Sequence, residues 1–191
     1  ERSASQDLVD STLFVVSFRG GQLPSQLFAW GNDSFTVTLR DHSADYLIRD
    51  IHLAFRSVRR AHPFQIDAIV VLPDHLHCIW ELPEGDSNYP NRWRLIKGRF
   101  SRALAKTGRP IRRNSKGEYD VWQRRYWEHL VRDERDFQAH VDYIHYNPVK
   151  HGFVKRACDW PYSSFQRFVR EGWISNDWAG DASVGDKSMG E

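Results

Sequence analysis

The stretch that decides the fold reads PDHLHCIW and occupies residues 73–80. Its Pro-Asp pair favours a tight turn, because proline interrupts the hydrogen-bond ladder of a strand and aspartate stabilises turns. The residues after the turn are expected to form a strand, so His75 and His77 point to the same side and their imidazoles can bind one metal ion. The apolar run before the turn completes a predicted hairpin with strands at residues 65–72 and 75–82.

A second informative stretch reads DYIHYNPVK and occupies residues 142–150. Tyr143 and Asn147 lie four residues apart and share one face of a helix, where a phenol and an amide oxygen can point to the same ion. Tyr146 competes with Tyr143, but it lies roughly 100° round the helix from Asn147, whereas Tyr143 lies only about 40° away. Tyr143 is therefore the candidate nucleophile, and the two stretches together suit cleavage of a phosphodiester by a tyrosine.

Hydrophobic periodicity divides the central part of the chain into strands and helices. Pro148 is expected to end the last helix, because it has no N–H group for the carbonyl of Ile144. The element order predicts an α+β fold, a ferredoxin-like split β-α-β unit with a central antiparallel sheet and helices packed on one face. The other face would be open to a nucleic acid. The predicted strands are residues 34–40, 65–72, 75–82 and 122–131, and the predicted helices are residues 44–60, 91–106 and 134–146.

The length of 191 residues predicts one domain with a sizeable core. We place it at residues 32–172, including a C-terminal helical segment, after an N-terminal extension at residues 1–31 and before a flexible tail at residues 173–191. Cys78 and Cys158 form neither a disulfide framework nor a zinc-site spacing, which favours a reducing, cytoplasmic compartment. The sequence has no run of about 18 apolar residues and no secretory signal, so no membrane association is expected.

Basic residues are concentrated in residues 92–125, where twelve Lys and Arg residues face two acids although the formal net charge of the whole chain is only +2. Several aromatic residues lie in or near this basic block. Neutralising phosphates and stacking bases require these residue types, so the block is a candidate nucleic-acid surface, with a solvated helix face and a basic loop as the alternative. The candidate DNA contacts are Arg92, Arg94, Lys97, Arg99, Arg124, Arg125 and, outside the block, Lys150.

The chain resembles the REP-associated tyrosine transposases, bacterial relatives of the single-strand insertion-sequence transposases within the single-tyrosine HUH endonucleases. A lone His-x-His motif would carry little weight, but five blocks in the order of that family make the match specific over about 70% of the chain. Residues 1–31 depart from the pattern of the family. The five blocks are VLPDHLH at 71–77, RWRLIK at 92–97, WQRRYWEH at 122–129, YIHYNPVKHG at 143–152 and DWPYSSF at 159–165.

The resemblance implies that His75 and His77 bind Mg²⁺ or Mn²⁺, with Asn147 as the third ligand and Tyr143 as the nucleophile. A phenol ionises only near pH 10, so the bound ion would assist by polarising the phosphate. The implied activity is sequence- and hairpin-specific cleavage and strand transfer of single-stranded DNA at repetitive extragenic palindromes (REP), through a 5′-phosphotyrosine intermediate. The resemblance also implies a bacterial, nucleoid-associated protein that works as a monomer, whereas insertion-sequence relatives donate the tyrosine from a partner subunit.

Other classes of protein stay open at this point. The main alternative is a domesticated DNA-hairpin-binding protein without cleavage activity, although an intact set of candidate site residues argues against lost chemistry. A replication initiator or relaxase would commonly need a longer chain with a helicase or second domain, and this sequence has no P-loop. An RNA-binding module would need aromatic pairs in a Gly-Phe-rich strand pattern that the sequence lacks.

The remaining histidines and the C-terminal segment allow weaker predictions. His140 falls near the face of Tyr143, where it would orient the phenol or contact a phosphate, with a plain surface role as the alternative. His145 and His151 lie off that face and receive no catalytic role. The amphipathic segment at residues 159–172 is hypothesised to pack over the active site and restrict access to it.

Overall fold

The computed structural model describes residues 32–41 and 47–178. The predicted extension at residues 1–31 and the predicted start of the first helix lie outside these ranges. The elements of the described residues are β1 (Asp33–Thr38), α1 (Leu47–Ala61), β2 (Gln65–Val71), β3 (His75–Glu81), α2 (Tyr89–Lys106), β4 (Trp127–Leu130), α3 (Glu134–Lys150) and α4 (Phe165–Arg170), with a 3-10 turn at Ala157–Asp159.

The four strands form one antiparallel sheet in the order β2-β3-β1-β4. This order, with α1 and α2 as the two connecting helices, is the ferredoxin-like arrangement, so the predicted α+β class and sheet are confirmed. The two histidines lie on β3, a central strand, where Thr38 of β1 is opposite His75 and Thr36 is opposite His77.

The sheet carries helices on both faces, so the prediction that helices pack on one face is wrong. α1 and α2 cover one face in a core that includes Phe35, Cys78 and Trp80. α3 covers the other face with Phe137, Val141 and Ile144, which pack against alternate residues of β2 and β3. Because β2 is apolar on both faces, the sheet has two sides to bury, and α3 supplies a matching stripe with spacings of four and three residues.

The helix that carries Tyr143 continues to Lys150, so the prediction that Pro148 ends it is wrong. A proline removes one donor from the helix, but the N–H groups beyond it still find partners: His151 donates to the Asn147 carbonyl at 3.0 Å, and Phe153 donates to the Pro148 carbonyl at 2.9 Å. Pro148 is itself buried in the structure. Packing and these following bonds outweigh the single missing donor.

β4 is shorter than the predicted strand at residues 122–131, because only Trp127–Leu130 pairs with β1 in a continuous ladder. The chain before it touches β1 at separate points. Trp122 forms an isolated bridge with Leu39, and the Gln123 N–H donates to the Thr38 carbonyl at 3.0 Å. The residues around Trp122 therefore line the end of the sheet without extending β4.

The C-terminal segment lies along the outer edge of β2. The Val71 N–H donates to the Tyr162 carbonyl at 2.8 Å, and the Ser164 N–H donates to the Ile69 carbonyl at 2.8 Å. The Arg167 guanidinium then donates to the carbonyls of Ile66 and Asp67. These contacts cover an edge strand whose open backbone groups would otherwise be available for pairing with another chain.

Packing extends into the first part of the predicted flexible tail. The ring of Trp173 packs edge-on against Phe168 at 4.9 Å between centroids, and Trp178 packs against Phe165 at 6.0 Å. Trp173 and Trp178 therefore pack against the rest of the fold, and residues 179–191 lie outside the described ranges.

Candidate active site

The two histidines of β3 are buried and held in place by neighbouring side chains. His75 Nδ1 lies 2.8 Å from a carboxylate oxygen of Asp74, and His77 Nδ1 lies 2.8 Å from the Thr36 hydroxyl. The two rings are 5.1 Å apart and nearly perpendicular. Because Nδ1 of each ring is engaged by a neighbour, Nε2 is the nitrogen suited to bind a metal ion, and histidine ligands are usually oriented in this way by a hydrogen bond at the other ring nitrogen.

Tyr143 of α3 lies directly beside these histidines. Its ring is 5.2 Å from the His77 ring at an interplanar angle of 84°. The Lys150 ammonium donates to the Tyr143 hydroxyl at 3.4 Å and lies 5.1 Å from the ring centroid. A cation at this distance can stabilise negative charge that develops on the phenol oxygen. Lys150, predicted from sequence as a DNA contact, is therefore placed at the candidate nucleophile.

Asn147 follows Tyr143 by one helical turn and is 0% exposed. Neither its amide oxygen nor its amide nitrogen has a hydrogen-bond partner among the described residues. An unpaired buried polar group costs about 1–3 kcal/mol, so this side chain suits a site that a ligand completes. An amide oxygen and two neutral imidazoles form a donor set that a divalent ion such as Mg²⁺ or Mn²⁺ can use. The residues present thus fit the predicted metal.

The sequence predicts no catalytic role for His151, yet its ring lies 5.0 Å from the His75 ring. The available signal was the helix phase: if α3 continues past Pro148, His151 falls four residues after Asn147 and on nearly the same side. Because the helix is predicted to end at residue 146, the sequence does not predict that His151 lies beside His75.

The contacts of His140 join it to the first turn of α3 and to β4. Its Nδ1 lies 3.2 Å from the Asp136 carboxylate, which also lies 2.7 Å from His129 Nε2. The His129 and His140 rings are stacked 4.7 Å apart, and burial lowers the pKa of His140. This group joins β4 to the first turns of α3, so the structural role is favoured over the predicted orientation of the phenol.

The predicted DNA contacts divide into buried and exposed groups. Arg92 has a structural role, since its side chain is only 5% exposed and pairs with Asp86 at 2.7 Å, which leaves little of the guanidinium for the predicted DNA contact. Arg99 lies on the side of α2 that faces α1, where it donates to the Ser57 hydroxyl at 2.8 Å. Arg94, Arg124 and Arg125 are exposed, and Lys97 is half-buried.

A comparison with protein-family models identifies the class of protein to which this chain belongs. The family model described as "Transposase IS200 like" matches residues 38–147, which is more than half of the chain. A ferredoxin-like sheet that carries two histidines on a central strand and a tyrosine on the covering helix is thus found within a family of DNA transposases.

Two relatives that match over most of their length identify the family within this class. A REP-associated tyrosine transposase of Escherichia coli K12 is 46% identical over 82% of this chain and 88% of its own length. A protein of Haemophilus influenzae described as "Putative REP-associated tyrosine transposase" is 44% identical over 78% of this chain and 88% of its own length. The chain therefore belongs to the REP-associated tyrosine transposases.

A solved structure agrees with this assignment. A REP-associated tyrosine transposase bound to a REP hairpin is 42% identical and superimposes with a TM-score of 0.74, over 93% of this chain and 98% of that one. No helix in the described part of this chain is long and apolar enough to cross a membrane.

Proposed function

We propose that the chain cleaves and rejoins single-stranded DNA at REP-type hairpins, with Tyr143 as the nucleophile. The observation that carries the proposal is the contact between Tyr143 and His77, with the Lys150 ammonium at the phenol oxygen. A tyrosine placed between a metal-ligating histidine and a cation has the surroundings that phosphodiester attack requires.

The proposed reaction transfers one end of the cut strand to Tyr143. The Tyr143 oxygen loses its proton to water and attacks the phosphorus, and the bond from phosphorus to the 3′ oxygen breaks. The leaving oxygen takes up a proton to give a free 3′-hydroxyl, and the 5′ phosphate stays on the tyrosine. Attack by another 3′-hydroxyl reverses these steps and rejoins the strand.

The metal site would be formed by His75, His77 and Asn147. When bound, Mg²⁺ or Mn²⁺ polarises the scissile phosphate and neutralises the charge that develops on it. Asp74 and Thr36 fix the two rings through Nδ1, so Nε2 of each ring would be the atom available to hold the ion. The buried position of Asn147 limits competition from water.

We also propose that one chain forms a complete site. The candidate nucleophile and the candidate ligands all come from β3 and α3 of the same chain, and the Tyr143 and His77 rings are already in contact. This arrangement needs no tyrosine from a partner subunit and supports a monomer.

The substrate assignment is supported by charge and by relatives. The related transposase of known structure was solved with a REP hairpin. In this chain the exposed arginines of α2 and of the segment before β4 supply cations for phosphate neutralisation.

The test is a covalent adduct assay. Labelled single-stranded hairpin DNA from repeats flanking the gene is incubated with the protein and Mn²⁺ or chelator, and the products are separated on denaturing gels. We expect a metal-dependent adduct that is lost in Tyr143→Phe and kept in Tyr146→Phe, a matched change one turn away on α3. An adduct that persists in Tyr143→Phe contradicts the nucleophile, and tight binding without any adduct favours the hairpin-binding protein without cleavage activity.

A further inference from the structure

Three potential metal ligands meet where β4 faces the first turns of α3. His129 comes from β4, and Asp136 and His140 come from α3. Their ligand atoms, one nitrogen of each imidazole and one carboxylate oxygen, all lie within 4.8 Å of one another. We call these three residues the β4–α3 cluster. It is separate from the candidate active site, whose proposed ligands come from β3 and from the last turns of α3.

Local structure brings the three groups together. Asp136 and His140 are four residues apart and therefore lie on one face of α3, a spacing at which two side chains can bind the same ion. His129 lies on the side of β4 that α3 covers, because its ring stacks on the His140 ring at 4.7 Å between centroids. The Trp127 ring stacks on the other two at 5.6 Å and 6.1 Å, so an aromatic ring adjoins both imidazoles.

The carboxylate of the cluster is oriented towards both imidazoles. Asp136 oxygens lie 2.7 Å from His129 Nε2 and 3.2 Å from His140 Nδ1. The Arg132 N–H donates to the same carboxylate at 3.0 Å, which fixes it at the start of α3. Ligand atoms around a tetrahedral zinc ion lie about 3.3 Å apart, given bond lengths of about 2.0–2.1 Å, so the cluster needs only small side-chain movements to bind one.

Hydrogen bonds alone leave this cluster incompletely satisfied. The His140 side chain is 3% exposed, and burial lowers its pKa, which keeps the imidazole in the neutral form that binds metals. Its Nδ1 lies 2.8 Å from the Asp136 carbonyl oxygen, and its buried Nε2 has no hydrogen-bond partner in the described part of the chain. Among the described residues, the ion-pair partners of Asp136 are the two histidines, so its charge is balanced only where an imidazole is protonated or a cation binds.

Two imidazoles and one carboxylate form a donor set typical of zinc. Zinc sites with three protein ligands keep the fourth position for water, and the side chains of His129 and Asp136 are 17% and 22% exposed, so solvent can reach the cluster. Imidazole ligands suit zinc, whereas Mg²⁺ and Mn²⁺ prefer oxygen ligands. The donor set therefore favours Zn²⁺ over the ions proposed for the candidate active site.

We propose that the β4–α3 cluster binds one Zn²⁺ ion, which ties the edge strand β4 to the start of α3. Each bound imidazole carries its remaining proton on the nitrogen that does not bind the ion. Tyr143 follows His140 by three residues, so the ion would hold α3 against the sheet within one helical turn of the candidate nucleophile. The zinc site itself does not depend on the proposed cleavage.

The experiment counts zinc in a His75→Ala/His77→Ala variant, which lacks the two histidines of the candidate active site. The protein is stripped with chelator, equilibrated with Zn²⁺ and dialysed, and the bound metal is measured by inductively coupled plasma mass spectrometry. We expect one equivalent of zinc. Adding His129→Gln should weaken zinc binding by about 100-fold or more, since losing a residue that only orients a ligand already costs about 10- to 100-fold.

His62→Gln is the matched control, since His62 is a half-buried histidine after α1 and belongs to neither site. It should leave the zinc content unchanged. Hydrogen exchange adds a structural measurement: Zn²⁺ should slow the exchange of amides in β4 and in the first turns of α3. The same addition should have no such effect once His129→Gln is present.

A second measurement keeps the candidate active site intact. Co²⁺ replaces zinc and absorbs visible light strongly when four ligands surround it, so the native sequence and His129→Gln are titrated with Co²⁺ in parallel. The difference spectrum isolates the β4–α3 cluster and should show one tetrahedral ion. This comparison decides the question if the thermal midpoint in chelator shows that His75→Ala/His77→Ala does not fold.

No zinc in a folded His75→Ala/His77→Ala variant, or the same zinc content with and without His129→Gln, would overturn the proposal. Equal losses in His129→Gln and His62→Gln would show non-specific binding to imidazoles and would also overturn it. A Co²⁺ difference spectrum without a tetrahedral signal has the same consequence. Zinc binding at the cluster without any DNA adduct in the native sequence contradicts only the proposed cleavage.

Discussion

At the scale of single residues, Lys150 provides the sharpest prediction about the chemistry. Its ammonium donates to the Tyr143 hydroxyl, so Lys150→Met should slow adduct formation by about 10- to 100-fold at neutral pH. The rate should recover as the pH approaches that of free phenol ionisation, near 10, because hydroxide then forms the phenolate without the lysine. Single-turnover adduct formation between pH 6 and pH 10 measures this.

Lys150→Arg should retain much of the rate, because it keeps a cation near the phenol. Lys155→Met is the control for loss of one positive charge, since Lys155 is an exposed residue after α3. If Lys150→Met and Lys155→Met slow the reaction equally, Lys150 acts only through general attraction of DNA.

The sequence predicts relations within one element better than relations between elements. His75 and His77 follow from strand alternation, and Tyr143 and Asn147 follow from helix phase, and the structure places Tyr143 against His77. Arg92 has the residue type of a phosphate ligand, but its burial depends on Asp86 and on carbonyls about 30 residues away, which periodicity does not reveal.

At the scale of elements, Ser164 joins three parts of the fold. Its hydroxyl accepts a hydrogen bond from the Ile69 N–H of β2 at 3.0 Å and lies 2.9 Å from His145 Nε2 of α3. It also occupies the N-terminal cap position of α4. The residue is buried, so these partners depend on one hydroxyl rather than on water.

Ser164→Ala should therefore destabilise the protein by about 1–3 kcal/mol, because it leaves a buried backbone N–H and a buried imidazole without this partner. The free energy of unfolding in urea gives the value. Ser115→Ala, in an exposed loop, is the control and should change stability by less than about 0.5 kcal/mol. A similar small change in Ser164→Ala would show that the edge of β2 is held by the backbone pairing alone.

The element boundaries show where sequence reasoning is limited. The number and order of strands could be predicted because their apolar patterns are local. The sequence patterns do not predict the packing of α3 on the second face of the sheet, although Ala68 and Val70 of β2 are apolar and must be buried on that side. The extension of α3 through Pro148 is not predicted either. Tertiary packing offsets the loss of one hydrogen-bond donor, and rules based on local sequence do not include the stabilisation from packing.

At the scale of the whole molecule, two buried groups give opposite dependences of stability on pH. Burial raises the pKa of Asp67 to about 7, above its usual value near 3.9, so its contribution to stability is present at low pH and is lost as the pH rises towards 7. Burial, assisted by the charge of Arg167, lowers the pKa of His145 to about 3. Its contribution is present above about pH 6.5 and is lost as the pH falls towards 3.

Between about pH 4 and pH 6.5 these two effects cancel in the native chain, and single variants should separate them. Asp67→Asn leaves His145 unopposed, so the free energy of unfolding should fall by about 1.4 kcal/mol for each unit of acidification, relative to the native chain. His145→Gln leaves Asp67 unopposed, and the free energy of unfolding should rise by a similar amount for each unit of acidification. Urea unfolding at pH 4.5, 5.5 and 6.5 measures the slopes, which are independent of any constant loss of stability in either variant. Parallel slopes in the two variants would mean that neither group keeps its buried, neutral form across this range.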